Sequence, residues 1–85
     1  MATIQAFIQK KEYEAAHMKI VSLMTDYPNI SVLYDLMGNV RYLQRDYGRA
    51  LEAYRQSLAL SPQNSMTAEI VKRLENLTDK QGGSP

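Results

Sequence analysis

Eighty-five residues with a net charge of +1, no cysteine and a single histidine make one small domain. Disulfides, thiolate metal sites and a histidine-built metal site are excluded, and the even mixture of charges offers no concentrated basic face for nucleic acid. No apolar run approaches the roughly 18 residues of a membrane span, and the opening "MATIQAFIQKK" lacks the basic-then-apolar order of a signal peptide. The chain therefore reads as soluble, without direct membrane insertion. Its lack of cysteine suits a reducing, cytoplasmic setting, or a periplasmic one if a longer parent carries a signal or anchor. A chain this short buries only about 60–65% of its unfolded surface, so regular packing or a partner is needed to support it.

In chain order, Ile4, Phe7 and Ile8 mark a short first helix. Tyr13, Ala16, Ile20, Leu23 and Met24 mark a second, closed by Pro28. The third spans Ser31–Leu43, with Leu33, Leu36, Met37, Val40 and Leu43 at helical spacing and Ser31 or Asn29 as its cap. "QRD" interrupts, and Asp46 caps a fourth helix. That helix buries Tyr47, Ala50, Leu51, Tyr54, Ser57 and Leu58, and it ends at Leu60 or Ser61 before Pro62. The fifth runs over Ser65–Asp79. It places Met66, Ile70, Val71, Leu74 and Leu77 on one side and Lys72, Arg73, Glu75 and Asn76 on the other. "QGGSP" at 81–85 reads as a flexible tail.

These helices repeat. A shift of 34 residues pairs Pro28 with Pro62, Tyr13 with Tyr47, Ala16 with Ala50, Ser31 with Ser65 and Leu43 with Leu77. It also pairs Glu12 with Asp46, Ile20 with Tyr54, Val32 with Met66 and Asp35 with Glu69. The expected fold is all-α, built of antiparallel helix–turn–helix units. Small Gly38 and Ala50 let paired helices approach closely, Tyr34 and Tyr54 fill the wider gaps, and Pro62 ends the unit.

A 34-residue helix–turn–helix period resembles the tetratricopeptide repeat. The pattern is carried by Tyr34, Met37 and Gly38, then by Ala50, Tyr54, Ser57 and Pro62; Arg41 stands where the motif has Tyr. The resemblance implies one domain over 1–80. It comprises a shortened first repeat (1–30), a complete repeat (31–64) and a capping helix (65–79). The short first unit suggests a domain cut from a longer chain or completed by a neighbour. Ile4 and Lys72 occupy the glycine position of the flanking units.

No constellation for chemistry emerges. His17 lies mid-helix without a nucleophile at a helical neighbour position, Gly38 and Gly48 make no phosphate loop, and no cofactor is implied. The expectation is a non-enzymatic scaffold that binds a protein, a peptide or a helix of a partner. The alternative is a structural module that assembles with copies of itself or within a longer array, because short arrays are marginal alone. The resemblance places the inner, partner-facing surface at Gln5, Ile8, Gln9, Val32, Asp35, Leu36, Asn39, Tyr42, Leu43, Met66, Glu69 and Arg73. Val32, Leu36 and Leu43, with Ile8 and Met66, would form an apolar strip rimmed by Asp35, Asn39 and Arg73. A carboxylate-gripping version of this groove exists in the family. Here Asn39 and Arg73 fit it, but Gln5, Glu69 and Met1 do not, so that version is not expected.

Overall fold

The computed structural model describes residues 2–82. Five helices follow one another: α1 (Ala2–Gln9), α2 (Tyr13–Asp26), α3 (Ser31–Leu43), α4 (Tyr47–Leu60) and α5 (Ser65–Gly82), with no strand among the described residues. Each is joined to the next by a short turn and doubles back along it. The extensive contacts are all between chain neighbours, and the α3–α4 pair is the most intimate. This is how a linear stack of helix pairs is wired.

The turns inside the two pairs are copies. Lys11 and Arg45, 34 positions apart, both adopt left-handed backbone, with φ of 62° and 63°. Each sits where a helix end closes on itself. The amide of Lys11 donates to Ile8 O and that of Glu12 to Phe7 O; the amide of Arg45 donates to Tyr42 O and that of Asp46 to Arg41 O. These crossed bonds satisfy the last carbonyls of α1 and α3. A left-handed backbone costs a non-glycine residue roughly 1–2 kcal/mol, so this turn is a price the fold meets twice. The next residues match too, with φ/ψ of −90°/70° at Glu12 and −94°/77° at Asp46. The residues that follow α2 and α4, Tyr27 and Ser61, have −132°/75° and −133°/75°.

The caps differ from the sequence expectation at two places. Neither Ser31 nor Asn29 caps α3: Ile30 stands at that position and offers no side-chain bond. The Ser31 hydroxyl instead accepts from Ser61 Oγ at 3.0 Å, tying the start of α3 to the end of α4. Helix α5 has a cap that the sequence reading missed, since Asn64 Oδ1 accepts from the amides of Met66 (3.1 Å) and Thr67 (3.3 Å). Asp46 caps α4 as expected, through the amide of Arg49 at 3.3 Å. Helix α5 continues to Gly82 because Asp79–Gln81 contain no breaker. The first two residues assigned to the tail are thus helical, and 83–85 lie outside the described residues.

Two apolar clusters fill the interior. Ile4, Ala16, Ile20, Leu33, Leu36 and Val40 join α1, α2 and α3, with Phe7, Ile8, Tyr13, Leu23, Met24 and Met37 packed around them. Ala50, Leu51, Tyr54, Val71 and Leu74 join α4 to α5, supported by Tyr47, Leu58 and Ile70. The Tyr54 ring spans the seam between them by lying on Gly38. A Cβ added at Gly38 would stand 2.7 Å from Cε1 and Cζ of that ring. Gly38 and Ala50 are both buried, and the small residue at 38 makes room for the aromatic ring of Tyr54. Thr67 is also buried, whereas Met66 is 75% exposed. The face that α5 turns inward is therefore Thr67, Val71 and Leu74, shifted by one residue from the expected start.

Candidate partner-binding groove

Helices α1, α3 and α5 share one side of the stack, and two adjoining cavities run across it. The first, about 390 Å³, is lined by Gln5, Ile8 and Gln9 of α1 and by Leu36, Asn39, Tyr42 and Leu43 of α3. The second, about 360 Å³, is lined by Asn39 and Tyr42, Tyr54 of α4, and Ile70, Arg73, Leu74 and Leu77 of α5. Asn39 and Tyr42 belong to both, so the cavities form one cleft with these two side chains at its centre. A shallower depression beside it carries Ser65, Met66, Glu69, Ile70 and Arg73.

All seven residues of the first cavity belong to the expected inner face. Arg73 extends that face into the second cavity, and Met66 and Glu69 lie in the depression. Two expected members behave differently. Val32 is 48% exposed but lines neither cavity. Asp35 is committed to structure, because its Oδ1 accepts from the buried Thr67 hydroxyl at 3.1 Å and so ties α3 to α5. Leu36 is only 9% exposed and belongs to the core, touching the cleft with its edge. The contrast with Leu43, 44% exposed, is decisive: of the apolar strip on α3, Leu43 is the part that both lines the cleft and stays open to solvent. Tyr54, Ile70 and Leu74 line the cleft although their helical spacing signals core alone; each does both.

The residues assigned to repeat packing are placed as follows. Gly38, Ala50, Tyr54 and Ser57 are buried, Tyr34 and Met37 are half-buried, and Pro62 is exposed just beyond α4. Tyr34 donates its hydroxyl proton to Pro28 O at 3.3 Å. The Ser57 hydroxyl has no partner among the described residues. Its position calls for a small side chain, and the oxygen adds nothing to the packing.

Polar bonding organises the floor of the cleft. The Tyr54 hydroxyl donates to Asn39 Oδ1, crossing from α4 to α3. Burial, then the charge of Asp35 and the neighbouring Tyr42, pushes the Tyr54 phenol up to about 12. Tyr42 also meets Tyr47 edge to face, ring centroids 5.4 Å apart, which steadies its ring at the centre of the cleft.

His17 lies away from this cleft, between α2 and α3. Arg41 donates to its Nε2 at 3.3 Å and to Gln44 Oε1 at 3.1 Å, while Nδ1 faces Met37 Sδ at 3.2 Å. The departure of Arg41 from the repeat motif thus has a structural reason: it bridges to α2. Burial, then the charge of Arg41, lowers the His17 pKa; Glu14 opposes the shift and Arg49 adds to it. No group of three His, Cys, Asp or Glu residues able to hold a metal occurs among the described residues. No helix there is long and apolar enough to cross a membrane.

Comparison with known proteins agrees with this architecture. No curated protein matches the chain significantly. A family model described as tetratricopeptide repeat matches residues 31–64, the segment that contains α3, its left-handed turn at Arg45, α4 and Pro62. Residues 31–64 are therefore a tetratricopeptide repeat.

Proposed function

We propose that this chain is a non-enzymatic interaction module whose cleft across α1, α3 and α5 receives a segment of a partner protein. Tetratricopeptide repeats mediate protein–protein interaction in general. The observation that carries the reading here is the pair Tyr42 and Leu43, 46% and 44% exposed, beside a cavity whose other walls are Ile8, Leu36 and the amides of Gln5, Gln9 and Asn39. Aromatic and aliphatic surface in a concave, amide-rimmed cleft has the composition of the anchoring centre of an interface. The two cavities each lie near the lower end of the roughly 300–1,000 Å³ typical of small-ligand sites. Their end-to-end junction at Asn39 and Tyr42 suits a chain segment better than one compact molecule.

The test selects peptides from a random 12-residue phage library on the folded chain and measures them against Leu43→Glu. Position 43 is exposed, so the substitution leaves the helical circular dichroism intact; Leu36→Glu would break the core and is unsuitable. The expected outcome is at least tenfold weaker binding by Leu43→Glu. Equal binding by both proteins removes the cleft from the function.

A further inference from the structure

We infer that the joint between the two helix pairs carries a proton-operated release: protonation of His17 turns Arg41 from its bonding partner into a repelling neighbour, and the α1–α2 pair loosens from α3 while the joint between α4 and α5 stays closed.

Both joints are braced from the same repeat position. Arg41 of α3 and Glu75 of α5 lie 34 residues apart, and each reaches back to the preceding helix. Glu75 accepts from Arg55 of α4 at 2.7 Å, and neither a carboxylate nor a guanidinium ordinarily changes charge near neutrality. Arg41 instead donates to His17 Nε2 of α2 at 3.3 Å. The first brace therefore rests on the side-chain type that does change charge there.

The geometry fixes how the brace works. A guanidinium only donates, so Nε2 accepts and the imidazole proton sits on Nδ1, which faces Met37 Sδ at 3.2 Å. Neutral His17 is thus engaged through both nitrogens. A second proton can enter only at Nε2, where it removes the acceptor and sets an imidazolium against a guanidinium. The charged groups that act on His17 come from three helices. Glu14 on α2 favours the proton, whereas Arg41 on α3 and Arg49 on α4 oppose it. Helix α1, Ala2–Gln9, contains no ionisable side chain. Arg49 has Asp46 beside it at 3.6 Å, so Arg41 is the charge that decides. Burial, then Arg41, holds the His17 pKa below the usual histidine value.

The same joint is the least extensive of those between successive helices. Ile20 of α2 with Leu33 and Val40 of α3 still cross it in one apolar cluster, so losing one bond weakens the joint without parting it. In a linear stack, stability is a sum of unit terms and interface terms. A weaker interface therefore appears as easier opening of the end unit, α1–α2. If the cleft binds as proposed above, on which this last step rests, the release reaches binding. The first cavity has one wall on α1 and the other on α3, across the joint, whereas the second lies on α3, α4 and α5. Acid loosens the first and leaves the second.

The test follows amide exchange of the whole chain by NMR between about pH 7.5 and about pH 5, the range in which histidine titrates, with protection corrected for the intrinsic exchange rate. His17 is the single histidine, so its ring protons report the titration directly. Protection in α1 and α2 is expected to fall roughly threefold or more as His17 takes up its proton, the loss of about one hydrogen bond, while α5 keeps its protection. His17→Gln, which can still accept from Arg41 but does not titrate, should abolish the dependence. Arg41→Glu gives α3 the residue that α5 carries and should reverse its sign, because an imidazolium then faces a carboxylate and acid tightens the joint. A merely structural contact would show no such reversal. The inference is overturned if α1–α2 and α5 lose protection in parallel, if protection ignores the titration of His17, if the dependence survives in His17→Gln, or if Arg41→Glu keeps the original sign. Should Arg41→Glu fold poorly, the unmodified chain and His17→Gln decide alone. Library peptides that require Leu43 should weaken by a similar factor over the same range, and should not do so on His17→Gln. Unchanged peptide affinity at an opening joint overturns the link to the cleft. A library without any Leu43-dependent binder overturns the proposed function, and the exchange measurement still judges the joint.

Discussion

The first helix pair, α1 with α2, and the second, α3 with α4, share a backbone but not a packing solution. Their turns agree to a degree in φ at Lys11 and Arg45 and nearly so at the following residues. At the helix crossing, the second pair sets glycine against a large ring, Gly38 beneath Tyr54. The positions 34 residues earlier are Ile4 and Ile20, both with 0% exposure and both in one apolar cluster. One pair divides the volume unequally and the other equally. The lesson is that a repeat is conserved as geometry, while the side chains that fill it trade volume between partners.

That comparison is broken most severely by transplanting half of one solution into the other. Gly38→Ile drives a branched side chain into the Tyr54 ring and is expected to cost about 3 kcal/mol or more in urea unfolding. Adding Tyr54→Ile rebuilds the pattern of the first pair and should return at least half of the loss; a double variant no better than Gly38→Ile would show that the two pairs are not interchangeable. Smaller effects separate the caps. Asp46→Ala removes the bond to the Arg49 amide and should cost about 1 kcal/mol. Glu12 makes no such bond, so Glu12→Ala should cost less than about 0.5 kcal/mol, and Glu12→Asp tests whether the first pair accepts the cap of the second. Ser57→Ala deletes a buried hydroxyl without a partner and should be neutral or stabilising by up to about 1 kcal/mol.

The last difference is titratable. His17 corresponds to Leu51 of the second pair. Because its folded pKa is lowered from 6.5 by burial and Arg41, the unfolded chain binds the proton more readily. Stability contributed by neutral His17 is full above the unfolded value and declines as pH falls from there toward the folded one. His17→Leu, the residue of the other pair, should flatten that part of the pH–stability curve. An unchanged slope would place the sensitivity elsewhere.

Much of this was legible in the sequence, for identifiable reasons. Pro28 and Pro62 stop helices by covalent geometry, and the period between them located α3 and α4 within a residue. The starts of α3 and α5 at Ser31 and Ser65 were legible, but the cap positions Ile30 and Asn64 were hidden, because the Ser that follows each is itself a good capping residue. Spacing placed Leu36 and Leu43 on one face but could not say which was covered, since core and cleft meet along that face. The bond between Tyr54 and Asn39 joins residues fifteen positions apart on different helices, and no local pattern announces it. Asp35 looked like a cleft residue until its partner, Thr67, was seen to arrive from the next unit.

Because every extensive contact links helices adjacent in sequence, the polypeptide never has to close a long loop to reach its native state. Low contact order of this kind goes with folding on the order of microseconds to milliseconds. It also means that the molecule can unzip from its ends: α1, eight residues long and extensively packed on α2 alone, is the part whose amides should exchange with solvent first.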